Sequence, residues 1–258
     1  MDLTSLFGLE GKAALVTGGS RGIGEMIAHG LVAAGARVHV ASRKLEACEE
    51  VAADLRAAGG DASAIQADLS TPEGCDALAA AVAEREPALH VLVNNAGATW
   101  GAPLGAYPVE GFDKVMDLNV RGVFLLTQAL LPQLEAAGTP DDPARVINIG
   151  SVDGLQVPAF DSFAYSASKA AVHHLTRHLA RSLAPRHVTV NAIAPGLYPS
   201  KMTAHLLEHA DQLAGAIPRG RLGEADDLAG TAVYLASRAG AYTTGAIVPV
   251  DGGVATLR

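Results

Sequence analysis

The sequence predicts a doubly wound α/β fold, in which about seven parallel strands form one sheet with helices on both faces. The first six candidate strands are nearly continuous apolar runs, typical of parallel strands buried on both sides. Longer Ala-rich amphipathic segments alternate with them, and right-handed crossovers place such segments on both faces of the sheet. The 258 residues, 49% hydrophobic and 18% charged, show no linker, repeat or change of composition. We therefore expect a single domain over residues 1–258.

The elements follow one another in a regular βαβ order. The candidate strands are Lys12–Val16, Arg37–Ala41, Ala62–Gln66, Val91–Asn94, Arg145–Ile149, Val188–Ile193 and Ile247–Val250. The candidate helices between them are Gly22–Ala34, Leu45–Ala58, Pro72–Arg85, Pro108–Leu134, Phe163–Ala184 and Glu224–Ser237. Ligands of such sheets bind outside the carboxyl ends of the strands, so functional residues are expected directly after the strands.

The acidic composition excludes several classes of function. The formal net charge is −8 at neutral pH, whereas proteins with a general affinity for nucleic acid carry Lys/Arg-rich surfaces. Cys48 and Cys75 are too few for a disulfide framework or a zinc knuckle, and we predict no metal site. The N-terminus lacks the basic-then-apolar order of a signal peptide, and the most apolar segment, Gly122–Leu134, is too short to span a bilayer. We expect a soluble cytoplasmic protein that binds neither nucleic acid nor membrane.

A glycine-rich segment, TGGSRGIG at Thr17–Gly24, follows the first strand and opens directly into a helix. Gly18, Gly22 and Gly24 have the spacing G-x-x-x-G-x-G. Glycines at such a turn let the backbone approach a pyrophosphate, and the free N–H groups of the helix N-terminus attract its charge. The order strand, loop, helix therefore favours nucleotide binding over the alternative, a glycine-rich turn with no ligand.

The end of the second strand indicates which nucleotide is bound. A site for NAD commonly has Asp or Glu about 20 residues beyond the glycine loop, where it accepts hydrogen bonds from the ribose 2′-OH. Here Ser42, Arg43 and Lys44 come first, with no acid before Glu46, and Arg21 lies in the glycine loop. Two guanidinium groups and a hydroxyl suit the 2′-phosphate of NADPH better than a bare ribose. The alternative is that Arg43 and Lys44 only begin a solvated helix.

Ser151, Tyr165 and Lys169 form the candidate catalytic group. Ser151 follows the fifth strand, and Tyr165 and Lys169 are four residues apart, on one face of a helix. A phenol transfers protons poorly at neutral pH unless a nearby cation stabilises its phenolate, and Lys169 would supply that cation. The Ser151 hydroxyl would hydrogen-bond a carbonyl oxygen that gains charge as hydride arrives. Taken alone, the Tyr–Lys pair also fits an ordinary aromatic–cation contact; the glycine loop upstream favours proton transfer beside a hydride donor.

The chain resembles the short-chain dehydrogenase/reductase (SDR) family, which has the Rossmann fold. The motifs that carry the resemblance are TGGSRGIG, NNAG at Asn94–Gly97, Asn119, Ser151, YSASK at Tyr165–Lys169 and Pro195-Gly196, in this order and spacing. The resemblance implies that Tyr165 donates the proton and that Ser151 anchors the carbonyl. It also implies that Lys169 lowers the Tyr165 pKa and holds the nicotinamide ribose, while Asn119 holds a water chain that relays protons to Lys169.

The same resemblance implies the contacts of the cofactor. Asp68 corresponds to the adenine contact of the family, and Asn94 and Ala96 border the adenosine ribose. Ser200 stands where the family often has a Thr beside the cofactor phosphates. The full implied set of NADP(H) contacts comprises Gly18, Ser20, Arg21, Gly22, Ile23, Gly24, Ser42, Arg43, Asp68, Leu69, Asn94, Ala96, Gly97, Tyr165, Lys169, Pro195, Gly196 and Ser200. A homotetramer with two-fold axes is also implied.

Within the family, the segments APGLYPSKMT and NNAGATWGA are most similar to 3-oxoacyl-[acyl-carrier-protein] reductases, in particular to the rhamnolipid-pathway branch. We therefore expect an NADPH-dependent reductase of a ketone, with a 3-oxoacyl thioester of acyl carrier protein or CoA as substrate. Two alternatives are left open: an SDR dehydrogenase of a sugar, polyol, steroid or other small carbonyl, and a non-catalytic NADP-binding sensor or scaffold.

The segments expected to cover the substrate are Val152–Phe163 and Leu197–Pro218, the latter within a covering region at about 195–219. Their apolar side chains suit an acyl chain, or pack the covering segments onto the domain: Trp100, Leu155, Val157, Phe160, Leu197, Tyr198, Met202, Leu206 and Leu207. An acidic carrier protein would call for a basic patch near the cleft. The candidate contributors to this patch are Arg121, Lys201, Arg219 and Arg221.

Two further features have competing interpretations. Asp153, two residues after Ser151, either contacts a polar group of the substrate or caps the following turn, and we favour the cap. His174 and His178 have the i, i+4 spacing of metal ligands, but no Glu completes an H-E-x-x-H pattern. We interpret these histidines, with His173, as structural.

Overall fold

The computed structural model describes residues 2–200, 203 and 210–255, and within them seven parallel strands form one sheet. The strands are β1 (Ala13–Thr17), β2 (Arg37–Ser42), β3 (Asp61–Gln66), β4 (Val91–Asn94), β5 (Ala144–Ile149), β6 (Val188–Pro195) and β7 (Ile247–Val250). Their order is β3-β2-β1-β4-β5-β6-β7, so the direction of winding changes between β1 and β4. All seven predicted strands are confirmed, and their observed ends differ by two residues at most.

The helices of the described residues cover both faces of the sheet. They are α1 (Leu3–Phe7), α2 (Gly22–Ala33), α3 (Leu45–Ala57), α4 (Pro72–Ala83), α5 (Val109–Met116), α6 (Val123–Ala129), α7 (Leu131–Ala137), α8 (Phe163–Leu183), α9 (Ala210–Ala216) and α10 (Ala225–Ala236). Helices α2, α3 and α10 pack on one face, and α4, α6 and α8 pack on the other. The predicted doubly wound fold is therefore confirmed. The short helices α1 and α9 were not predicted.

The sheet is buried on both faces because its central strands carry apolar side chains at successive positions. Every residue of β1, β4, β5 and β6 is buried. In β1, Ala14 and Val16 belong to the core on the α2 face, and Ala13 and Leu15 to the core on the α4 face. Burying one side chain the size of leucine or valine contributes about 2 kcal/mol, so these two cores fix the sheet and hence the positions of the loops that leave it.

The predicted single helix Pro108–Leu134 is wrong, because the structure divides it. Helix α5 runs into a π-helical turn at Asp117–Gly122, which leads directly into α6. A second break follows at Leu130, and Pro132, which has no N–H, lies at the start of α7. A hydrophobic period cannot reveal one extra residue within a turn, and such π-bulges occur frequently at functional sites. None of the described helices is both long and apolar enough to cross a membrane.

Candidate active site

A cleft of about 720 Å³ opens at the carboxyl edge of the sheet, bordered by the loops that follow β1 to β6. This edge lies where the winding changes direction, the usual place for a ligand in such sheets. Most predicted site residues line the cleft: Gly18, Ser20, Arg21, Gly22, Ile23, Ser42, Arg43, Asp68, Leu69, Ala96, Gly97, Ser151, Tyr165, Lys169, Pro195, Gly196 and Ser200. Gly24, Asn94 and Asn119 are not part of this lining.

The glycine loop after β1 is shaped for close approach of its backbone to a ligand. Gly18 and Gly22 have φ angles of +63° and +58°, in the left-handed region that favours glycine. A Cβ at Gly18 would lie 2.9 Å from the Cα of Ala96, in the loop after β4. Gly24 has a packing role instead, since a Cβ there would lie 2.6 Å from the Gly18 carbonyl oxygen. The loop therefore turns tightly into the N-terminus of α2, whose N–H groups attract anions.

The end of β2 brings positive charge to the same part of the cleft. Ser42 and Arg43 line it together with Arg21 of the glycine loop. Asp68, after β3, contributes a carboxylate that accepts hydrogen bonds from the N–H and Oγ of Ser70, at 3.1 and 2.8 Å. Burial acts to raise the Asp68 pKa, but these hydrogen bonds and the charge of Arg43 together outweigh it, and the pKa lies below its ordinary value. The guanidinium groups of Arg21 and Arg43 are both exposed, so they are available to an anionic ligand in this part of the cleft.

The structure turns Asn94 away from the cleft. Its amide nitrogen donates to Thr127 Oγ1 at 3.1 Å and to Asn148 Oδ1 at 3.0 Å, inside the core. The next residue, Asn95, lines the cleft, and its amide donates to the carbonyl oxygens of Thr17 and Gly18 at 2.9 and 3.1 Å. Successive side chains of a strand point to opposite sides, which explains why the two neighbours differ. Asn95 therefore anchors the glycine loop, a role the sequence-based prediction did not assign.

Ser151, Tyr165 and Lys169 come together beside the end of β5. The Lys169 ammonium is buried and donates to the carbonyl oxygen of Ile149, the last residue of β5, at 2.7 Å. It also lies 5.5 Å from the centre of the Tyr165 ring, one helical turn earlier in α8. Ser151, just after β5, lines the same cleft and lies close to the Tyr165 side chain. A hydroxyl, a phenol and an ammonium thus form a continuous group at the wall of the cleft.

Burial controls the ionisation of this group. It lowers the pKa of Lys169 to about 8, although the charge of Asp153 partly opposes the shift. It raises the pKa of Tyr165 to about 12, and the nearby Ser151 hydroxyl partly opposes this shift. The phenol is protonated at neutral pH, as a proton donor must be.

Asn119 lies behind the catalytic group, in the π-helical turn. Its Oδ1 accepts from the N–H of Ala98 at 2.8 Å, and its Nδ2 donates to the carbonyl oxygen of Ala98 at 2.9 Å. The same Nδ2 donates to Ser168 Oγ at 2.9 Å, next to Lys169 in α8. A Cβ at Gly97 would lie 3.3 Å from Asn119 Oδ1 and 3.8 Å from Lys169 Nζ. Asn119 therefore connects the loop after β4 to the helix that carries Tyr165 and Lys169.

The sequence model of the short chain dehydrogenase family matches residues 12–211. The chain belongs to this family. It is 51% identical, over 250 residues, to the rhamnolipids biosynthesis 3-oxoacyl-[acyl-carrier-protein] reductase of Pseudomonas aeruginosa, and the match covers 96% of this chain and 97% of that protein. The solved structure of the Pseudomonas aeruginosa RhlG/NADP active-site complex superposes with a TM-score of 0.94 at 50% identity, covering 97% of this chain and 99% of that one. The predicted resemblance to the family and to its rhamnolipid-pathway branch is confirmed.

More distant members of the short-chain dehydrogenase family act on other compounds. Gluconate 5-dehydrogenase of Gluconobacter oxydans is 35% identical, with 98% of both chains covered. The 7alpha-hydroxysteroid dehydrogenase of Clostridium sardiniense is 34% identical, with 96% of this chain and 94% of that protein covered. Membership of the family therefore fixes the type of reaction more firmly than the substrate.

Several cleft residues of this short-chain dehydrogenase escaped the sequence-based prediction: Ala41, Lys44, Ala47, Ala67, Asn95, Thr99, Leu118, Ile149, Gly150 and Thr203. Some of them stand at strand ends or directly after them, as Ala67, Asn95 and Gly150 do. The rule that ligands bind at the carboxyl ends of strands would have found these. Leu118 belongs to the π-helical turn, whose geometry has no sequence signal in a single chain.

The turn after Ser151 differs from its predicted arrangement. Ser151 caps it, because Ser151 Oγ accepts a hydrogen bond from the N–H of Asp153 at 3.1 Å. The favoured interpretation, that the Asp153 side chain is the cap, is therefore wrong. His173 is buried beneath the same turn: a Cβ at Gly150 would lie 2.1 Å from His173 Nε2, and one at Gly154 would lie 2.8 Å from His173 Cε1. The described residues contain no cluster of metal-ligating side chains.

The substrate side of the cleft is only partly described. Met202, Leu206, Leu207 and Lys201 lie outside the described residues. Of the predicted apolar cover, Leu155, Val157 and Phe160 are exposed, whereas Tyr198 lines the cleft and donates its hydroxyl proton to the carbonyl oxygen of Val250 at 3.1 Å.

The predicted basic patch is partly neutralised by ion pairs. Arg121 pairs with Asp117 at 3.0 Å. Arg221 makes two contacts with Asp227, at 2.7 and 2.9 Å. These two arginines therefore offer a partner less free positive charge than their number suggests.

Proposed function

We propose that this chain is an NADPH-dependent reductase that converts the ketone of a 3-oxoacyl thioester, carried on acyl carrier protein or CoA, to a secondary alcohol. The observation that carries the proposal is the half-buried, protonated Tyr165 beside Ser151 and Lys169 at the wall of the cleft. The 3-oxoacyl-[acyl-carrier-protein] reductase that is 51% identical over nearly the whole chain supports the substrate class.

The residues of the cleft fit a dinucleotide with a 2′-phosphate. Gly18 and Gly22 provide a cradle that a side chain would fill, with a Cβ at Gly22 only 3.3 Å from the Cβ of Ser200. Arg21, Ser42 and Arg43 provide the donors that a phosphate requires. When bound, NADPH supplies the hydride that is added to the carbonyl carbon. We propose that NADPH contacts those predicted residues that line the cleft.

The residues of the chain then handle the oxygen and its proton. The Ser151 hydroxyl hydrogen-bonds the carbonyl oxygen and stabilises the negative charge that develops on it. Tyr165 donates its phenolic proton to the same oxygen, so that the alkoxide becomes an alcohol. The Lys169 ammonium stabilises the phenolate left behind, and Asn119 supports the path by which the phenol regains a proton.

The proposal extends to the domain organisation, the assembly and the partner of the chain. We propose one domain over residues 1–258, with the segment at about 195–219 covering the substrate, although residues 201–202 and 204–209 of it lie outside the described part. We also propose that the chain assembles as a homotetramer and that an acidic carrier protein docks near the cleft. Arg219 is the residue proposed to contact this carrier protein, since Arg121 and Arg221 are engaged in ion pairs.

Oxidation of NADPH with acetoacetyl-CoA tests the proposal, run in parallel with NADH and with a small panel of sugar and steroid ketones. Turnover of the thioester with NADPH is the expected result. Turnover of a sugar or steroid ketone alone would replace the substrate class and leave the mechanism intact. Preference for NADH would contradict the role of Arg21 and Arg43. No turnover of any ketone would favour a non-catalytic sensor or scaffold.

A further inference from the structure

The turn directly after Ser151 carries a carboxylate, that of Asp153, which forms no ion pair among the described residues. Asp153 belongs to the turn Val152–Gly154, which packs against α8: a Cβ at Gly154 would lie 2.6 Å from the backbone carbonyl carbon of Lys169. The N–H of Asp153 donates to Ser151 Oγ, which fixes the two residues relative to each other. Within residues 2–200, 203 and 210–255, no hydrogen bond or ion pair engages the Asp153 carboxylate, and the side chain is only partly exposed.

The charge of Asp153 acts on both ionisable groups of the proposed mechanism. Burial lowers the pKa of Lys169, and Asp153 partly offsets this shift. Burial raises the pKa of Tyr165, and Asp153 adds to the shift. The pKa of Asp153 is itself raised by burial, against the charge of Lys169. A carboxylate whose field reaches Tyr165 and Lys169 also acts on any charge that a substrate brings to the reacting carbonyl.

We propose that Asp153 is a specificity-determining residue, which disfavours ketones that carry an anionic group next to the reacting carbonyl and admits neutral ones. This inference rests on the proposed reductase function and narrows its substrate class. A 3-oxoacyl thioester has an uncharged thioester at that position, and its carrier holds its phosphates many bonds away, where water and salt screen them. A free 3-oxo acid brings its carboxylate toward Asp153, and like charges repel strongly in a partly buried site.

Acetoacetamide and acetoacetate test the charge directly, because they are nearly isosteric and differ by one negative charge. The measurement is the ratio of their kcat/KM values with NADPH at about pH 7.5, where free carboxyls are ionised. The wild type is expected to prefer acetoacetamide, and Asp153→Asn to reduce this preference about tenfold, the equivalent of one pKa unit of repulsion. The ratio is informative because any effect of the variant on Tyr165 or Lys169 applies to both substrates.

Asp141→Asn is the matched control, since it also removes one negative charge but from an exposed position in the loop before β5, at the opposite edge of the sheet. It is expected to leave the ratio unchanged. Asp153→Ala serves as a second variant in case the asparagine disturbs the turn. If neither small ketone is turned over, their inhibition constants against the N-acetylcysteamine thioester of acetoacetate replace kcat/KM.

The outcomes separate the two proposals. Failure of the wild type to reduce the N-acetylcysteamine thioester would contradict the proposed function. Reduction of this thioester, combined with equal acceptance of acetoacetate and acetoacetamide by the wild type, would overturn the inference alone. An unchanged preference in both Asp153 variants would overturn it as well.

Discussion

The two edges of the sheet hold buried charge in opposite ways. At the amino edge, where the strands begin, Arg145 pairs with Asp142 at 2.7 Å, and Lys12 pairs with the other carboxylate oxygen at 2.6 Å. Arg145 also donates to the carbonyl oxygen of Ser237 at 2.9 Å. A buried guanidinium without an anion would cost several kcal/mol, so this pairing is a condition of folding.

The start of β2 repeats this arrangement at the same edge. Glu86 accepts from Arg37 Nη2 at 2.7 Å, and His39 Nε2 lies 2.9 Å from the other oxygen of the carboxylate. The hydrogen bond from Arg37 lowers the pKa of Glu86. Cation and anion again neutralise each other within the protein.

At the carboxyl edge, charged groups have no oppositely charged partner among the described residues and are available to a ligand. Lys169 is buried but bonds only to a neutral carbonyl among the described residues, and the nearby Asp153 is in no ion pair among them. Both have pKa values shifted by burial toward their neutral forms. Self-neutralised charges stabilise a fold, whereas unneutralised ones are available to a ligand. Substitutions of the paired charges at the amino edge should therefore change stability, and substitutions of the catalytic group at the carboxyl edge should change chemistry.

Tyr165→Phe provides the strongest test of this contrast. It removes the proposed proton donor and leaves the ring in place, so kcat is expected to fall about 1,000-fold with NADPH affinity and Tm nearly unchanged. Steady-state kinetics, NADPH fluorescence titration and thermal unfolding measure the three quantities. Tyr234→Phe removes a hydroxyl from α10 and should retain full activity. Retained turnover in Tyr165→Phe would remove the phenol from the mechanism.

Asp142→Asn tests the opposite edge. The substitution leaves Arg145 and Lys12 without their anion, so the free energy of unfolding should fall by about 3 kcal/mol. Urea unfolding measures this loss, and kcat per folded molecule should be unchanged. The neighbouring Asp141→Asn, on an exposed residue, should stay within about 0.5 kcal/mol of wild type. A large loss of kcat in Asp142→Asn would show that the two edges are not independent.

His173 makes the stability of the carboxyl edge depend on pH. Burial lowers its pKa to about 4, below the 6.5 of an unfolded histidine, so the folded state favours the neutral ring. Its contribution is complete above about pH 6.5 and is lost as the pH falls toward about 4. We expect wild type to lose roughly 2 kcal/mol more than His173→Gln between about pH 7 and about pH 4.5 in urea unfolding. Parallel pH profiles of wild type and His173→Gln would show that folding does not lower the pKa of His173.

Arg43→Ala should have the smallest effect of the four. Loss of one exposed guanidinium from the proposed 2′-phosphate site should raise KM for NADPH about tenfold and leave KM for NADH unchanged. Arg85→Ala, at the end of α4, is the control for loss of one surface cation. Equal changes for the two cofactors would indicate that Arg43 acts elsewhere on the nucleotide.

The sheet and most of the cleft could be predicted from the sequence because local rules govern them. Apolar β-branched runs mark buried strands, and the residues that follow them meet at one edge, as Ser151 and Gly196 do. The division of the helix at Asp117–Gly122 could not be predicted, because an extra residue in one turn leaves the hydrophobic pattern nearly intact. Side-chain direction at a strand end was equally hidden, which is why Asn94 was chosen where Asn95 lines the cleft.

The paired charges of the amino edge were also beyond prediction. Lys12 and Asp142 are separated by 130 positions, and nothing local links them. Arg37 and Glu86 are 49 positions apart and meet only because the start of β2 and the loop before β4 lie at the same edge of the sheet. Such pairs depend on the assembled sheet, and a single sequence contains no periodicity that reports them.

Asn119 shows how strictly backbone hydrogen bonds can determine which side chain is accepted at a position. Its amide is matched to the backbone of one residue, with an oxygen for the N–H of Ala98 and a nitrogen for the carbonyl oxygen of Ala98. Aspartate would set an anion against that carbonyl, leucine would satisfy neither group, and glutamine would be one methylene too long for the same fit. Of the twenty amino acids, only asparagine matches both the N–H and the carbonyl of Ala98 at this reach, so random mutagenesis of this position should return very few active clones.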